Sequence, residues 1–123
     1  MTPYGVGAVL AGVRRIDGLE LACVVDAATG SIMESVPDGD DAALPVLAGG
    51  ATDIAGVLEL MTGTLAAGEV EDVVVTLSDH YYLIRPLEED GGRPLLLLVA
   101  LERPGANLAL ARHEIRDCTS RLG

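Results

Sequence analysis

The most informative stretch of this sequence is Leu44–Leu65, which reads LPVLAGGATDIAGVLELMTGTL. Its apolar residues recur at intervals of three and four, which is the spacing of one helix face, at Leu44, Leu47, Ala51, Ile54, Leu58, Met61 and Leu65. A second series at almost the same spacing runs beside the first, at Val46, Gly50, Asp53, Val57, Leu60 and Thr64. One apolar stripe would pack on the domain's own sheet, and two adjacent stripes make a wider surface than a lone surface helix needs.

Two interpretations of this helix remain open. In the first, the helix lies deep in its own core and both stripes are internal. In the second, the helix meets a partner through its second stripe, which places Val46, Gly50, Val57 and Leu60 in the contact. The small residues Gly49 and Gly50 would let two helix backbones approach closely.

The flanking sequence predicts five strands and two more helices. The strands are Leu19–Asp26, Ser31–Val36, Val70–Leu77, Tyr81–Leu87 and Leu95–Leu101, and the helices are Tyr4–Asp17 and a last one that starts at Pro104 and buries Leu108, Ala111, Ile115, Cys118 and Leu122. Leu95–Leu101 is apolar on both faces, which indicates a central strand covered on both sides. The predicted fold is therefore a single α+β domain over residues 1–123, in which three helices sandwich a five-stranded antiparallel sheet in the order α-β-β-α-β-β-β-α.

Composition excludes several classes of function. The chain has 123 residues, with 19 acidic and 8 basic side chains and a formal charge of −11. This balance argues against nucleic-acid binding and against docking on an anionic membrane. The longest unbroken apolar run, Leu95–Leu101, is too short to span a bilayer, so no membrane insertion is predicted. Arg14 and Arg15 follow the N-terminal apolar stretch, which is the reverse of a signal peptide, and we expect a cytoplasmic protein.

The residues that carry catalysis or metal binding do not cluster in the sequence. Cys23 and Cys118 form no CxxC pair and are expected to be buried thiols. His80 falls in a predicted turn and His113 on an exposed helix flank, without neighbouring ligands at metal spacing. Asp38–Asp41 superficially resembles a calcium loop, but Gly49 stands where such a loop needs its bidentate glutamate. We therefore predict no catalytic, metal-binding or cofactor-binding residue, and no cofactor.

Four stretches carry a resemblance to a known family: Gly18–Asp26 with its turn to Gly30, Val70–Leu77, Tyr81–Leu87 and Arg103–Arg112. The sequence resembles the Roadblock family, the dynein light-chain and small-GTPase-regulator domain, and is most similar to its small stand-alone members from actinobacteria. The resemblance implies a non-enzymatic homodimer in which the third strands of two subunits pair and the central helices pack antiparallel. It also implies a scaffold that binds and regulates a Ras-like small GTPase, and it carries over no catalytic residue.

These observations predict two surfaces. The first is a dimer interface of Val46, Gly50, Val57 and Leu60 from the central helix, with Val73 and Val75 from an exposed strand edge. The second is a GTPase-binding surface across the paired helices, where two-fold symmetry would present each residue twice, at Thr52, Asp53, Glu59 and Thr64. An alternative function is a profilin-like or longin-like sensor or scaffold that binds a small ligand or another protein. A small enzyme is the third possibility, which the missing catalytic groups disfavour.

Overall fold

A computed structural model describes residues 5–37, 42–66, 68–88 and 92–120. Within these ranges the chain forms three α-helices and five strands, in the predicted order. They are α1 (Val6–Val13), β1 (Leu19–Asp26), β2 (Ile32–Val36), α2 (Ala43–Leu65), β3 (Val73–Thr76), β4 (His80–Glu88), β5 (Pro94–Glu102) and α3 (Leu108–Thr119), with a short 3-10 helix at Arg103–Gly105.

The strands form one antiparallel sheet in the order β2-β1-β5-β4-β3. β5 lies at the centre, and every residue from Leu95 to Leu101 is buried. This confirms the sequence prediction of a strand covered on both sides. In β1, Ala22 and Val24 on one face of the strand are buried as fully as Cys23 and Val25 on the other. Helices on both faces of the sheet explain why neither face of β1 is exposed.

Two cores lie on opposite faces of the sheet. On one face, Val9 and Val13 of α1 and Ala111 and Ile115 of α3 pack against β1, β4 and β5. On the other face, α2 packs alone against the sheet, through residues that include Leu44, Ala48 and Ala51. The predicted sandwich is confirmed, and α2 is the single α-helix of its layer in the described ranges.

Several boundaries differ from the sequence prediction. The helix expected over Tyr4–Asp17 ends at Val13, and the chain turns through Gly18, whose φ of +87° suits glycine. The strand expected over Val70–Leu77 is shortened to Val73–Thr76.

The last helix begins later than predicted, at Leu108. There the side chain of Asn107 caps it by accepting a hydrogen bond from the Leu110 N–H, while Pro104 belongs to the 3-10 helix. Tyr4, the loop Asp38–Asp41 and Leu122 lie outside the described residues.

Candidate functional site

The helix α2 is buried along only part of its length and circumference. Its buried residues, Leu44, Ala48 and Ala51, all lie in the first half, and Leu47, Ile54 and Ala55 pack partly against the same core. α2 lies chiefly over β1, β5 and β2, the half of the sheet away from β3. The interpretation of a helix deep in its own core is therefore wrong.

The rest of α2 exposes several large apolar side chains to solvent. Five large apolar side chains on this helix are between 58% and 78% exposed: Val46, Val57, Leu60, Met61 and Leu65. We call these five residues the α2 outer face. Such a concentration of exposed apolar side chains on one element is typical of an interaction surface rather than of scattered surface residues.

The structure shows which residues of this face are exposed, and the predicted dimer contact stays a prediction. Val46, Val57 and Leu60 are exposed, as a partner contact requires. Met61 and Leu65 continue the stripe that was expected to pack on the sheet, yet both are exposed. The reason is geometric, because a 23-residue helix is about 34 Å long and the last packing contacts lie near its middle.

Glycines leave further room along α2. Gly50 is exposed, and a Cβ built there would meet nothing within 4 Å. A Cβ built at Gly49, Gly56 or Gly63 would likewise meet nothing within 4 Å. Their seven-residue spacing puts these three glycines on one flank of the helix. The sequence analysis named Gly49 and Gly50 but not Gly56 and Gly63, although these two continue the seven-residue spacing from Gly49.

The second part of the candidate site is β3, an edge strand that pairs with β4 alone. The Leu77 N–H donates to the His80 carbonyl at 2.8 Å, so these two residues form a hydrogen-bonded pair. Because such pairs alternate in an antiparallel ladder, Val73 and Val75 direct their backbone groups toward β4. The N–H and C=O groups of Val74 and Thr76 therefore point outward, along the open edge.

The side chains of Val73 and Val75 lie on the same side of the sheet as α2. Val73 packs partly against the α2 core, and Val75, two residues on, shares its face. Both are half-buried. The six residues predicted for a dimer interface thus lie on one side of the sheet, on two elements that each have an open surface.

The four predicted partner-binding residues divide into two pairs. Asp53 and Thr64 are exposed and fall in the same helical stripe as Val57 and Leu60. Thr52 and Glu59 lie seven residues apart on another flank, where Thr52 is half-buried and its hydroxyl donates to the Ala48 carbonyl at 2.8 Å. The structure therefore places acidic side chains on two flanks of α2 and does not gather the four residues into one patch.

Two side-chain pairs were not predicted from the sequence. The Nε2 of His80 lies 2.5 Å from the Oε2 of Glu20 on β1. Arg112 of α3 makes two hydrogen bonds to the Asp72 carboxylate, at 2.8 and 2.9 Å. These hydrogen bonds raise the pKa of the Arg112 guanidinium above its ordinary value. Long sequence separations of 60 and 40 residues hide both pairs from any local pattern.

Neither cysteine forms a disulfide. Cys23 is fully buried beneath α2, and this burial raises the pKa of its thiol to about 11. Cys118 is half-buried in α3, where its Sγ occupies the space that a side chain at Gly12 would need. His113 is exposed, as expected.

In the described ranges, no group of three or more His, Cys, Asp and Glu side chains could hold a metal ion. An open depression of about 380 Å³ lies between α1 and β2, lined by residues that include Arg14, Arg15 and Glu34. It is on the far side of the sheet from α2. By length and composition alone, α2 could also cross a bilayer, although its first half packs on the sheet.

Comparisons with known proteins bear on the fold. No protein-family model and no curated protein sequence matches this chain. Solved structures do match. A Roadblock/LC7 domain from Streptomyces avermitilis superposes with a TM-score of 0.73 at 18% identity, covering 94% of this chain and 91% of that one. MglB from Myxococcus xanthus gives 0.72 at 12% identity, covering 92% and 84%. An MglB with a tetrameric arrangement gives 0.75 at 16% identity, covering 99% and 91%. Together with the element order and sheet topology, these matches establish that the chain has a Roadblock-like fold.

Proposed function

We propose that this protein is a non-enzymatic, cytoplasmic Roadblock module that forms a homodimer and binds a Ras-like small GTPase. The observation that carries the proposal is the α2 outer face, which is left uncovered on the same side of the sheet as the half-buried valines of the open edge strand β3. A second copy of the chain would bring both elements to the contact. The family resemblance of the sequence supports the same arrangement and supplies the class of partner.

The size of the outer face suits self-association. Fully burying one large apolar side chain is worth roughly 1.5–3 kcal/mol. The five side chains of the outer face are 58–78% exposed, so covering them would contribute on the order of 5–10 kcal/mol per protomer. Two protomers bring this contribution twice. Association costs roughly 4–15 kcal/mol in lost freedom, so the apolar burial of two protomers, about 10–20 kcal/mol, is of the size needed to offset that cost.

The charge on α2 indicates the chemistry of the second partner. Between Ala43 and Leu65 the helix carries Asp53 and Glu59 and no basic residue. Both carboxylates are exposed in the protomer. Asp53 lies in the stripe of Val57 and Leu60 that the dimer would cover, whereas Glu59 lies on another flank and would be presented once by each protomer. A GTPase that docks there would meet the Glu59 carboxylates with a basic patch, which speeds encounter and makes the association rate sensitive to salt.

Oligomeric state tests the first half of the proposal. Sedimentation of the full chain at micromolar concentration should give a dimer, and Leu60→Ala should weaken that dimer without lowering the stability of the protomer. Leu44→Ala is the matched control on the same helix, because Leu44 is buried and its loss should lower the unfolding temperature. A wild-type monomer, or a protein that floats with neutral phosphatidylcholine vesicles through α2, would overturn the proposal.

GTPase binding tests the second half. The probe is a purified Ras-like GTPase encoded by a neighbouring gene, loaded with GDP or with a non-hydrolysable GTP analogue. We expect saturable binding to the dimer, and no GTP turnover by the protein alone. Binding that is absent in both nucleotide states would refute the GTPase half and leave the dimer to stand on its own measurement.

A further inference from the structure

The edge strand β3 begins at the point where its partner β4 can no longer donate a backbone hydrogen bond to it. Continuing the register beyond Val73 and Ile84 would bring Glu71 opposite Pro86, in the next hydrogen-bonded pair. Pro86 has no N–H, so the Glu71 carbonyl would lose its partner there. The guanidinium of Arg85 takes the place of the missing donor, since its Nη1 donates to the Glu71 carbonyl at 3.3 Å.

Arg85 is itself held by the last helix. Its Nε donates to the Oγ1 of Thr119 at 2.9 Å, and that buried hydroxyl donates in turn to the Ile115 carbonyl. The guanidinium is thus fixed from α3 on one side while it holds the Glu71 backbone on the other. One residue further along, the Asp72 carboxylate accepts two hydrogen bonds from Arg112 of α3 and is only 12% exposed.

Apart from these contacts, β3 has few attachments. It has four residues, none fully buried, and in the described ranges it pairs with β4 alone, while Val73 and Val74 pack partly against the two cores. Segment 68–72, which leads into β3, belongs to no helix or strand. The two arginines therefore anchor the N-terminal end of a short strand that would otherwise be free to fray.

We propose that Arg112 and Arg85 are positioning residues that hold β3 in the geometry required for pairing with a second copy of the chain. This inference rests on the proposed homodimer. It adds that the dimer is controlled from α3, on the opposite side of the sheet from the α2 outer face. Breaking the Arg112–Asp72 bridge loosens the strand edge, so the outward groups of Val74 and Thr76 lose their fixed alignment.

The test uses the full chain and three variants. Arg112→Ala removes the bridge, and Arg116→Ala is the matched control, because Arg116 is an exposed arginine one helical turn away. The exchanged pair Arg112→Asp with Asp72→Arg restores opposite charges. Dimer dissociation constants come from sedimentation, and hydrogen exchange reports the protection of the Val74 and Thr76 amides in each protein.

We expect Arg112→Ala to raise the dimer dissociation constant at least tenfold and to speed exchange in β3, while Arg116→Ala changes neither. The exchanged pair should recover part of the wild-type affinity. A dimeric wild type whose dissociation constant is unchanged in Arg112→Ala would refute the positioning role alone. A monomeric wild type would refute the proposed dimer itself, so the two failures are distinguishable.

Discussion

Replacing Gly50 by leucine should move two measurements in opposite directions. In the protomer, a side chain at Gly50 enters open space, since a Cβ there meets nothing within 4 Å. Glycine inside a helix costs about 1 kcal/mol relative to a good helix former, so the substitution should stabilise the isolated protomer by about that amount. For a chain of this size, we expect a rise of about 3–5 °C in the unfolding temperature.

In the dimer, the same leucine should be unfavourable. A bulky side chain forces apart two helices that approach closely through glycine, at a cost of about 1–3 kcal/mol for each overpacked site. Two-fold symmetry introduces the side chain twice, which gives about 2–6 kcal/mol per dimer. Because each 1.4 kcal/mol is tenfold in affinity, the dissociation constant should rise at least about 30-fold.

Sedimentation equilibrium measures the dissociation constant, and thermal unfolding at concentrations below it measures the protomer. Gly50→Ala is the graded control, which should keep most of the gain in protomer stability and lose less affinity. If the dilute protomer becomes less stable with leucine, Gly50 does not face open space. If the dissociation constant does not change, the helices do not meet at Gly50, and the proposed contact is wrong.

Three further predictions concern other parts of the molecule. Glu59→Arg should weaken GTPase binding at low salt while the dimer persists, because Glu59 lies outside the stripe that the dimer would cover. Titration and sedimentation measure the two affinities, and unchanged GTPase affinity would place the partner elsewhere. Burial raises the pKa of Cys23 from 9.0 to about 11, so stability should fall by about 2–3 kcal/mol as pH rises from 9 to 11, and denaturant titrations of Cys23→Ala should lack this loss. A Cβ at Gly12 would overlap Sγ of Cys118, so Gly12→Ala should destabilise the protein by about 1–3 kcal/mol in denaturant titrations. Adding Cys118→Ala should restore part of the lost stability. If the effects of the two substitutions simply add, the close contact is contradicted.

The order of elements could be predicted because their patterns are long and locally consistent. β5 has an unbroken apolar run that only a doubly covered central strand explains, and α2 repeats its spacing over more than six turns. That Val46, Val57 and Leu60 share one face also follows from their spacing, while the exposure of that face is known only from the structure. For these features the physical cause lies within the segment itself.

Other features depend on contacts between distant parts of the chain. β3 is shorter than the predicted strand Val70–Leu77, because Pro86 on the neighbouring strand cannot donate to Glu71. Met61 and Leu65 continue a periodic stripe and are nevertheless exposed, because the sheet does not extend beneath the second half of α2. The link between Arg112 and Asp72 joins α3 to a segment 40 residues earlier. Periodicity says which residues share a face, and it does not say what lies opposite that face.

The α2 outer face and the open edge of β3 together favour a second copy of the chain as the partner, rather than a bilayer or an extended peptide. A bilayer would cover the α2 outer face, but it could not hydrogen-bond to the outward N–H and C=O groups of Val74 and Thr76, which would have to stay in water. An extended peptide would pair with those groups and leave the apolar helix exposed. A partner that satisfies both must present a helix face and a strand edge in a fixed relation. This chain carries that combination, and a two-fold dimer would bring the same patch of both protomers into one self-complementary interface.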